Sequence, residues 1–232
     1  MPDDLKEKLL DAALSHVPFD GWGDTTFAEA AQDVGISIAD ARAVFSRGAV
    51  DLAVAYHRRG DQQMLDKLKA SDLSAMRYSA RVAAGVRFRL DSVADREILR
   101  RGVALFSMPA NAAEGASLIW GTADHIWNAL GDTSDDINWY SKRMILSGVY
   151  GSTVLFWLGD TSEGDAATWA FLDRRIEDVM RFEKVKAQVR ENPILNKLFA
   201  FPNACLKDIK APSGTSRADL PGHWQTTGRD NS

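Results

Sequence analysis

The 232-residue chain carries a formal net charge of −4 and a sequence pI near 5.6, with 45% hydrophobic and 26% charged residues. That length supports one domain with a substantial core or two small ones, and the acidic balance argues against a general nucleic-acid binder, which needs a net basic face. The single cysteine, Cys205, excludes an intrachain disulfide framework and fits a reducing compartment. The opening residues, MPDDLKEKLL, lack the apolar region of a signal peptide and the Arg-rich pattern of a transit peptide. The longest uncharged apolar stretch, Met144 to Gly159, is shorter than the roughly 20 residues a membrane span needs. No transmembrane span is expected.

The pattern is helical nearly throughout. Leu5, Leu9, Ala12, Ala13 and Val17 recur at helical spacing, with Asp4 and Glu7 placed like a capping box. Pro18 and the Gly21-Trp22-Gly23 cluster are expected to end this first helix. Thr26 and Glu29 read as a second capping box, opening a short helix to Val34 that Gly35 closes. Ser37 caps a third short helix, Ile38 to Phe45, and a longer helix follows Gly48. Further helices are expected over Leu73–Leu90, Ala94–Phe106, Ala112–Leu130, Asp136–Leu158 and Ala166–Val189. No alternating strand pattern competes with them. From Pro212 onward the chain is rich in Gly, Ser, Thr, Arg and Asp, a composition expected to be disordered.

Three short helices with a tight turn between the second and third make a helix-turn-helix. The stretch TTFAEAAQDVGISIADARAVFSRGAVDLAVAY resembles the N-terminal domain of TetR-type regulators. DNA reading would require donors on the third helix. That helix offers Ser37, Asp40 and Arg42, with Arg47 just beyond, and Arg58, Arg59 and Lys67 lie on the next helix. Asp40 is unfavourable beside a polyanion. Ala41-Arg42-Ala43-Val44 lacks the aromatic and the basic or polar pair usual in such regulators. Two readings stand side by side: a ligand-responsive repressor, or an inherited three-helix module that does not bind DNA. The second is favoured.

The stretch ADHIWNALGDTSDDINWYSKR, Ala123 to Arg143, sets Trp127, Trp139 and Tyr140 among acids and leads into the uncharged helix MILSGVYGSTVLFWLGDTS. ATWAFLDRRIEDVM follows from Ala167 to Met180. These three ordered motifs, with SMPAN at Ser107–Asn111, resemble the ubiquinone (coenzyme Q) biosynthesis accessory proteins, the Coq-nine family. The resemblance implies an all-α, TetR-like fold, with a helix-turn-helix module over 1–47 and a larger helical lipid-binding domain over 48–190. It implies a non-catalytic protein without cofactor that presents isoprenoid or quinone lipid to the di-iron demethoxyubiquinone hydroxylase. Phospholipid is a further ligand in this reading. Carried over by position, it assigns Trp139 and Tyr140 to a partner-binding patch, with Asp136 and Arg143 beside them.

The lipid walls expected on this reading are Leu105, Met108, Ile119, Ile126, Trp127, Ile145, Val149, Phe156 and Trp157, around the small residues Ser147, Gly148, Gly151 and Ser152. A packed core has the same periodicity. Over 191–211, Ile194, Leu195, Leu198, Phe199 and Phe201 alternate with lysines as an interfacial membrane-contact segment, which Pro202 interrupts. The protein is therefore expected to sit peripherally on the cytoplasmic side of an inner membrane (the matrix side in a mitochondrion), as a homodimer. For catalysis, His16, His57, His125 and His223 are scattered, and no phosphate loop, nucleophile elbow or zinc spacing occurs. No enzymatic site and no metal site are expected.

Overall fold

Apolar periodicity sets the α-helices, nine among the described residues, though several of their ends move in three dimensions. The computed structural model describes residues 2–191 and 210–211. The helices are α1 Pro2–Asp20, α2 Asp24–Val34, α3 Ile38–Val44, α4 Ala49–Ala70, α5 Tyr78–Leu90, α6 Arg96–Ser107, α7 Ala112–Ala129, α8 Ile137–Leu158 and α9 Ala166–Glu191. No strand occurs among the described residues. The membrane-contact residues Ile194, Leu195, Leu198, Phe199 and Phe201, and the tail from Pro212, lie outside the described residues. Of the 191–211 segment beyond α9, only Lys210 and Ala211 are described. Ala211 donates its N–H to the Asp135 carbonyl at 2.8 Å, beside the start of α8.

The expected start of α1 is corrected, while its end falls at Asp20, directly before the Gly21-Trp22-Gly23 cluster. Pro2 takes an early helical position, where its missing N–H costs nothing, so the helix starts before Asp4. Asp4 pairs instead with Lys8 at 2.9 Å. Pro18 lies inside the last turn without ending it. A proline there forfeits one backbone bond, and burial of Leu9, Leu10, Ala13 and Val17 outweighs the loss. In α2 the capping reading of Thr26 also fails. Thr26 is buried and donates its hydroxyl to the Gly21 carbonyl at 2.6 Å, while Glu29 lies 3.0 Å from His16. Gly35 closes α2 at φ +76°, the left-handed conformation that glycine adopts without a Cβ penalty. Ser37 caps α3 by accepting from the Asp40 N–H at 3.1 Å.

Helix α5 begins at Tyr78 rather than Leu73. Asp72 accepts from the Ser74 N–H at 3.0 Å, and Arg81 donates to the carbonyls of Ser74 and Met76. Local polar bonds of this kind hold an irregular turn in competition with a helix.

The core forms two apolar clusters. One joins α1, α2, α3, the first half of α4, and α6 through Leu9, Val17, Phe27, Ala30, Leu52 and Ile98. The other joins the end of α4 to α5, α7, α8 and α9 through Met64, Val86, Leu90, Ile126, Leu146 and Leu172. The first cluster extends past residue 47, because α4 and α6 complete it. Helix α4 belongs to both clusters, and a buried ion pair marks the place where they meet. Arg89 of α5 is 2% exposed and donates from Nε to Asp61 Oδ1 of α4 at 2.8 Å. Its Nη1 donates to Ser92 Oγ at 3.3 Å and its Nη2 to the His57 carbonyl at 3.2 Å.

The guanidinium fits because residue 60 has no side chain. A Cβ built on Gly60 would stand 2.6 Å from Arg89 Nη1 and 2.7 Å from Cζ. In a solvated helix, Gly→Ala stabilises by about 1 kcal/mol. Here the sign should reverse. Gly60→Ala is expected to lower stability by roughly 1–3 kcal/mol, because it displaces one partner of a buried charge pair. Thermal unfolding of the two proteins checks this. An unchanged or raised Tm would show that Arg89 moves aside without loss.

Candidate functional site

A cavity of about 390 Å³ occupies the seam between the two clusters. Its walls are apolar. Helix α6 contributes Ile98, Leu99, Val103 and Phe106, α7 contributes Leu118 and Ile119, α8 contributes Gly151 and Val154, and Trp22 closes one side. The opening lies where Ser107, Ala112, Ala116 and Leu155 line the cavity and face solvent, Leu155 being 63% exposed. The opposite end is polar, formed by Tyr56 and His57 of α4, Arg89 of α5 and Tyr150 of α8.

The polar end has a defined bonding pattern. Thr122 of α7 donates its hydroxyl to Asp61 Oδ1 at 2.8 Å. With that proton committed, Thr122 Oγ1 accepts from His57 Nε2, which lies 2.9 Å away. His57 Nε2 and His125 Nδ1 each stand 3.6 Å from Asp61 Oδ2. Burial and then the Arg89 charge depress the pKa of His57 to about 4, against the opposing pull of Asp61. The ring is therefore neutral at neutral pH. Burial pushes the Asp61 carboxyl up, but His125, His57, Arg89 and Thr122 outweigh it, and its pKa lies below the ordinary value. Burial raises the pKa of both tyrosines, so both keep their protons. Tyr150 is 2% exposed. The Tyr56 hydroxyl is buried near the Ala94 backbone without a well-formed hydrogen bond.

Among the nine residues expected to wall a lipid site, only Ile119 lines this cavity. Ile126, Trp127 and Val149 lie in the second apolar cluster, and Leu105 lies in the first. Trp127 donates its indole N–H to the Lys142 carbonyl at 3.0 Å. Trp157 is held by Asp165 at 2.8 Å and by the Arg96 guanidinium 4.5 Å over its ring. Phe156 stacks on Phe171 with ring centroids 4.6 Å apart. Ile145 is half-buried, and Met108 is an exposed residue at the end of α6. Of the small α8 residues, Gly151 lines the cavity and Gly148 faces outward. Tyr56, His57, Arg89 and Tyr150 were not among the expected site residues. The one signal for the polar end was His57 and Asp61 four apart on a helix, a spacing that puts them on one face.

The expected partner patch splits into a surface and a support. Trp139 and Tyr140 are half-buried, with rings edge-on at 4.8 Å, and Trp120 of α7 packs 6.1 Å from Trp139. Asp136 is exposed and caps α8 by accepting from the Asn138 N–H at 2.8 Å. Arg143 adjoins Trp139 but is 1% exposed, beneath the patch. It donates to Asp124 at 2.6 Å, Asp132 at 3.1 Å and Asn128 at 3.0 Å, and its guanidinium lies 3.9 Å beneath the Trp139 ring. Burial pushes the Asp132 carboxyl up, but bonds from Lys142, Ser134 and Arg143 hold its pKa below the ordinary value. The acids of this stretch thus anchor Arg143, and Arg143 holds Trp139.

On the helix-turn-helix side Arg42, Arg47 and Arg59 are paired internally. Arg42 meets Asp24 at 3.3 Å, and Arg47 meets Asp51 at 2.7 Å and Glu114 at 2.6 Å. Arg59 meets Glu7 at 2.5 Å and Asp11 at 2.6 Å. Such pairing withdraws charge from phosphate contact.

The fold is that of TetR-type proteins. A TetR transcriptional regulator from Nitrosomonas europaea superposes with a TM-score of 0.62 at 20% identity, over 75% of this chain and 97% of that one. Two family models match the sequence, COQ9 over residues 112–183 and the N-terminal domain of ubiquinone biosynthesis protein COQ9 over residues 2–32. The mitochondrial ubiquinone biosynthesis protein COQ9 of Rattus norvegicus is 30% identical across 81% of this chain and 62% of its own length. Its Homo sapiens counterpart is 29% identical across 81% and 61%. A Dictyostelium discoideum protein named as a probable mitochondrial ubiquinone biosynthesis protein coq9 is 27% identical across 81% and 64%. The chain belongs to the COQ9 family, and it spans about three-fifths of the length of these relatives. No helix among the described residues is long and apolar enough to cross a membrane.

The buried imidazole makes stability depend on pH with a definite sign. An unfolded chain takes up a proton at His57 below about pH 6.5, whereas the folded chain resists until about pH 4. The stabilisation is complete above about pH 6.5 and declines as pH falls through that window. Between about pH 7 and pH 5, urea unfolding should show a loss of about 2 kcal/mol from this residue. His57→Gln should flatten the dependence. An unaltered slope in the variant would assign the effect to other groups.

Proposed function

We propose that this chain is a non-catalytic lipid-binding accessory factor of ubiquinone biosynthesis. It holds isoprenoid or quinone lipid, with phospholipid as a further ligand, in the seam cavity. It presents that lipid to a quinone-modifying enzyme such as the demethoxyubiquinone hydroxylase. The cavity carries the reading: about 390 Å³ of space with apolar walls, one polar end and an opening to the surface. That volume falls in the range of small-molecule sites, roughly 300–1,000 Å³, and a few polar groups in an apolar wall suit an amphiphile. The relatives' names supply the pathway. A binding role fits the polar end, where Asp61 is committed to Arg89 and Thr122, and His57 to Thr122.

The recipient's docking surface in this reading is Trp120, Trp139 and Tyr140, with Asp136 at its edge. Large aromatic rings bury much area at little entropic cost. Homodimerisation would use the uncharged outer face of α8 around Met144 and Gly148, both exposed. A peripheral position on the inner membrane, on the matrix side in a mitochondrion, would bring the cavity mouth to its lipid. The paired cations of the helix-turn-helix face count against the repressor alternative.

Two measurements test this proposal. Gly151 lines the cavity, and a Cβ there would meet only Ile119 Cδ1, at 4.0 Å. Gly151→Leu should keep the fold, since leucine favours helix more than glycine does, and should fill the cavity. Native mass spectrometry of the purified variant should then find at least ten-fold less bound lipid than wild type. Equal lipid occupancy would place the ligand elsewhere. Separately, the Trp139→Ala, Tyr140→Ala double variant should bind the hydroxylase roughly 30-fold more weakly, the effect of losing about 2 kcal/mol of anchoring. An unchanged dissociation constant would remove the patch from the interface.

A further inference from the structure

Helices α1 and α2 bring four titratable side chains to one spot, and none of them lines the cavity. His16 and Asp20 stand four positions apart on α1, and Glu29 and Asp33 four apart on α2, so each pair projects from one face of its helix. The small buried residues Ala13, Ala30 and Ala31 let the two helices pack closely. One ligand atom from each of His16, Asp20 and Glu29 lies within 4.8 Å of the others.

The histidine is already oriented. Its Nε2 lies 2.7 Å from Asp33 Oδ2. A carboxylate accepts, so Nε2 carries the hydrogen, and in the neutral ring Nδ1 is left with a lone pair. That nitrogen faces Glu29 Oε2 at 3.0 Å. Glu29 Oε2 is a buried atom without a hydrogen bond among the described residues, although the side chain as a whole is 42% exposed. Two electron pairs therefore face each other, an arrangement that a shared cation relieves. An imidazole that binds metal through one nitrogen and donates from the other to a carboxylate is the usual arrangement at zinc.

We propose that His16 Nδ1, Asp20 and Glu29 bind a divalent ion of the zinc class, with Asp33 positioning the imidazole. Tetrahedral zinc at about 2.1 Å from nitrogen and oxygen sets its ligand atoms about 3.4 Å apart. Nδ1 and Oε2 already stand near that spacing, and Asp20 is an exposed side chain that turns the remaining distance. One imidazole with two carboxylates suits zinc better than magnesium or calcium, which favour oxygen alone. Three protein ligands leave the fourth position to water. The ion fastens α1 to α2 beside Trp22, which closes one side of the cavity. No local spacing announces this site, because its ligands come from two helices.

The test is isothermal titration of the full chain, first stripped of metal with EDTA, with zinc sulfate. One equivalent should bind and raise Tm, and magnesium at the same concentration should do neither. His16→Gln and Glu29→Gln should each weaken zinc at least ten-fold, and Asp33→Asn roughly ten-fold, the usual effect of losing a supporting carboxylate. Cys205→Ser and His223→Gln remove other zinc-binding side chains of the chain and should leave the affinity unchanged. Unfolding curves without metal confirm that each variant folds. Absence of zinc binding by wild type would overturn the site and leave His16 as an imidazolium held between Glu29 and Asp33. Equal zinc affinity in His16→Gln, or loss of binding in Cys205→Ser or His223→Gln, would place the ion elsewhere and overturn it equally.

Discussion

The buried pair of Arg89 and Asp61 is the constraint on which the rest of the architecture turns. Two charges out of water are tolerated only when they neutralise each other and their remaining bonds are filled. Here Ser92, Thr122 and the His57 carbonyl fill them. The pair therefore ties α4, α5 and α7 together where the two apolar clusters meet. It also keeps that place from closing. Aliphatic side chains cannot occupy the volume beside a guanidinium without stranding its N–H groups. The absence of a side chain at Gly60 lets α4 approach closely enough for the pair to form.

From that constraint the cavity follows. The N-terminal helices bury one set of apolar residues and the C-terminal helices another, and α4 threads both. The seam between them is lined by small residues, Gly102, Gly115, Ala116 and Gly151, which leave room where larger ones would interdigitate. The polar end is fixed by the ion pair and the mouth by the exposed end of α6 and the outer face of α8. Shape and polarity thus have separate origins. Small residues supply the space, and one charge pair supplies its direction.

A second buried arginine organises the surface in a similar way. Arg143 donates to Asp124, Asp132 and Asn128, and supports the Trp139 ring from below. In the sequence, the family resemblance assigned these aromatics, set among acids, to a partner face. In three dimensions most of that acidity looks inward. Asp124 and Asp132 spend their charge on Arg143, which leaves the rings of Trp120, Trp139 and Tyr140 as the outward feature. Trp120 was not legible as part of this group, because it lies nineteen positions before Trp139 on another helix.

The sequence by itself determined the helices. Leu, Ala and Val recur at helical spacing, Gly35 and Ser37 mark ends that local geometry requires, and these are interactions between residues a few positions apart. Family membership was legible for the same reason, since its motifs are contiguous. Tertiary structure decided the rest. It carried α1 through Pro18 because burial outweighs one missing bond, and it buried Trp127, Val149 and Trp157 in packing or hydrogen bonds. It also assembled Tyr56, Arg89, Thr122 and Tyr150 from four helices into one polar end. Periodicity reports which face of a helix is apolar. Whether that face meets another helix or an empty space depends on the shapes of both walls, and only the packed molecule brings those walls together.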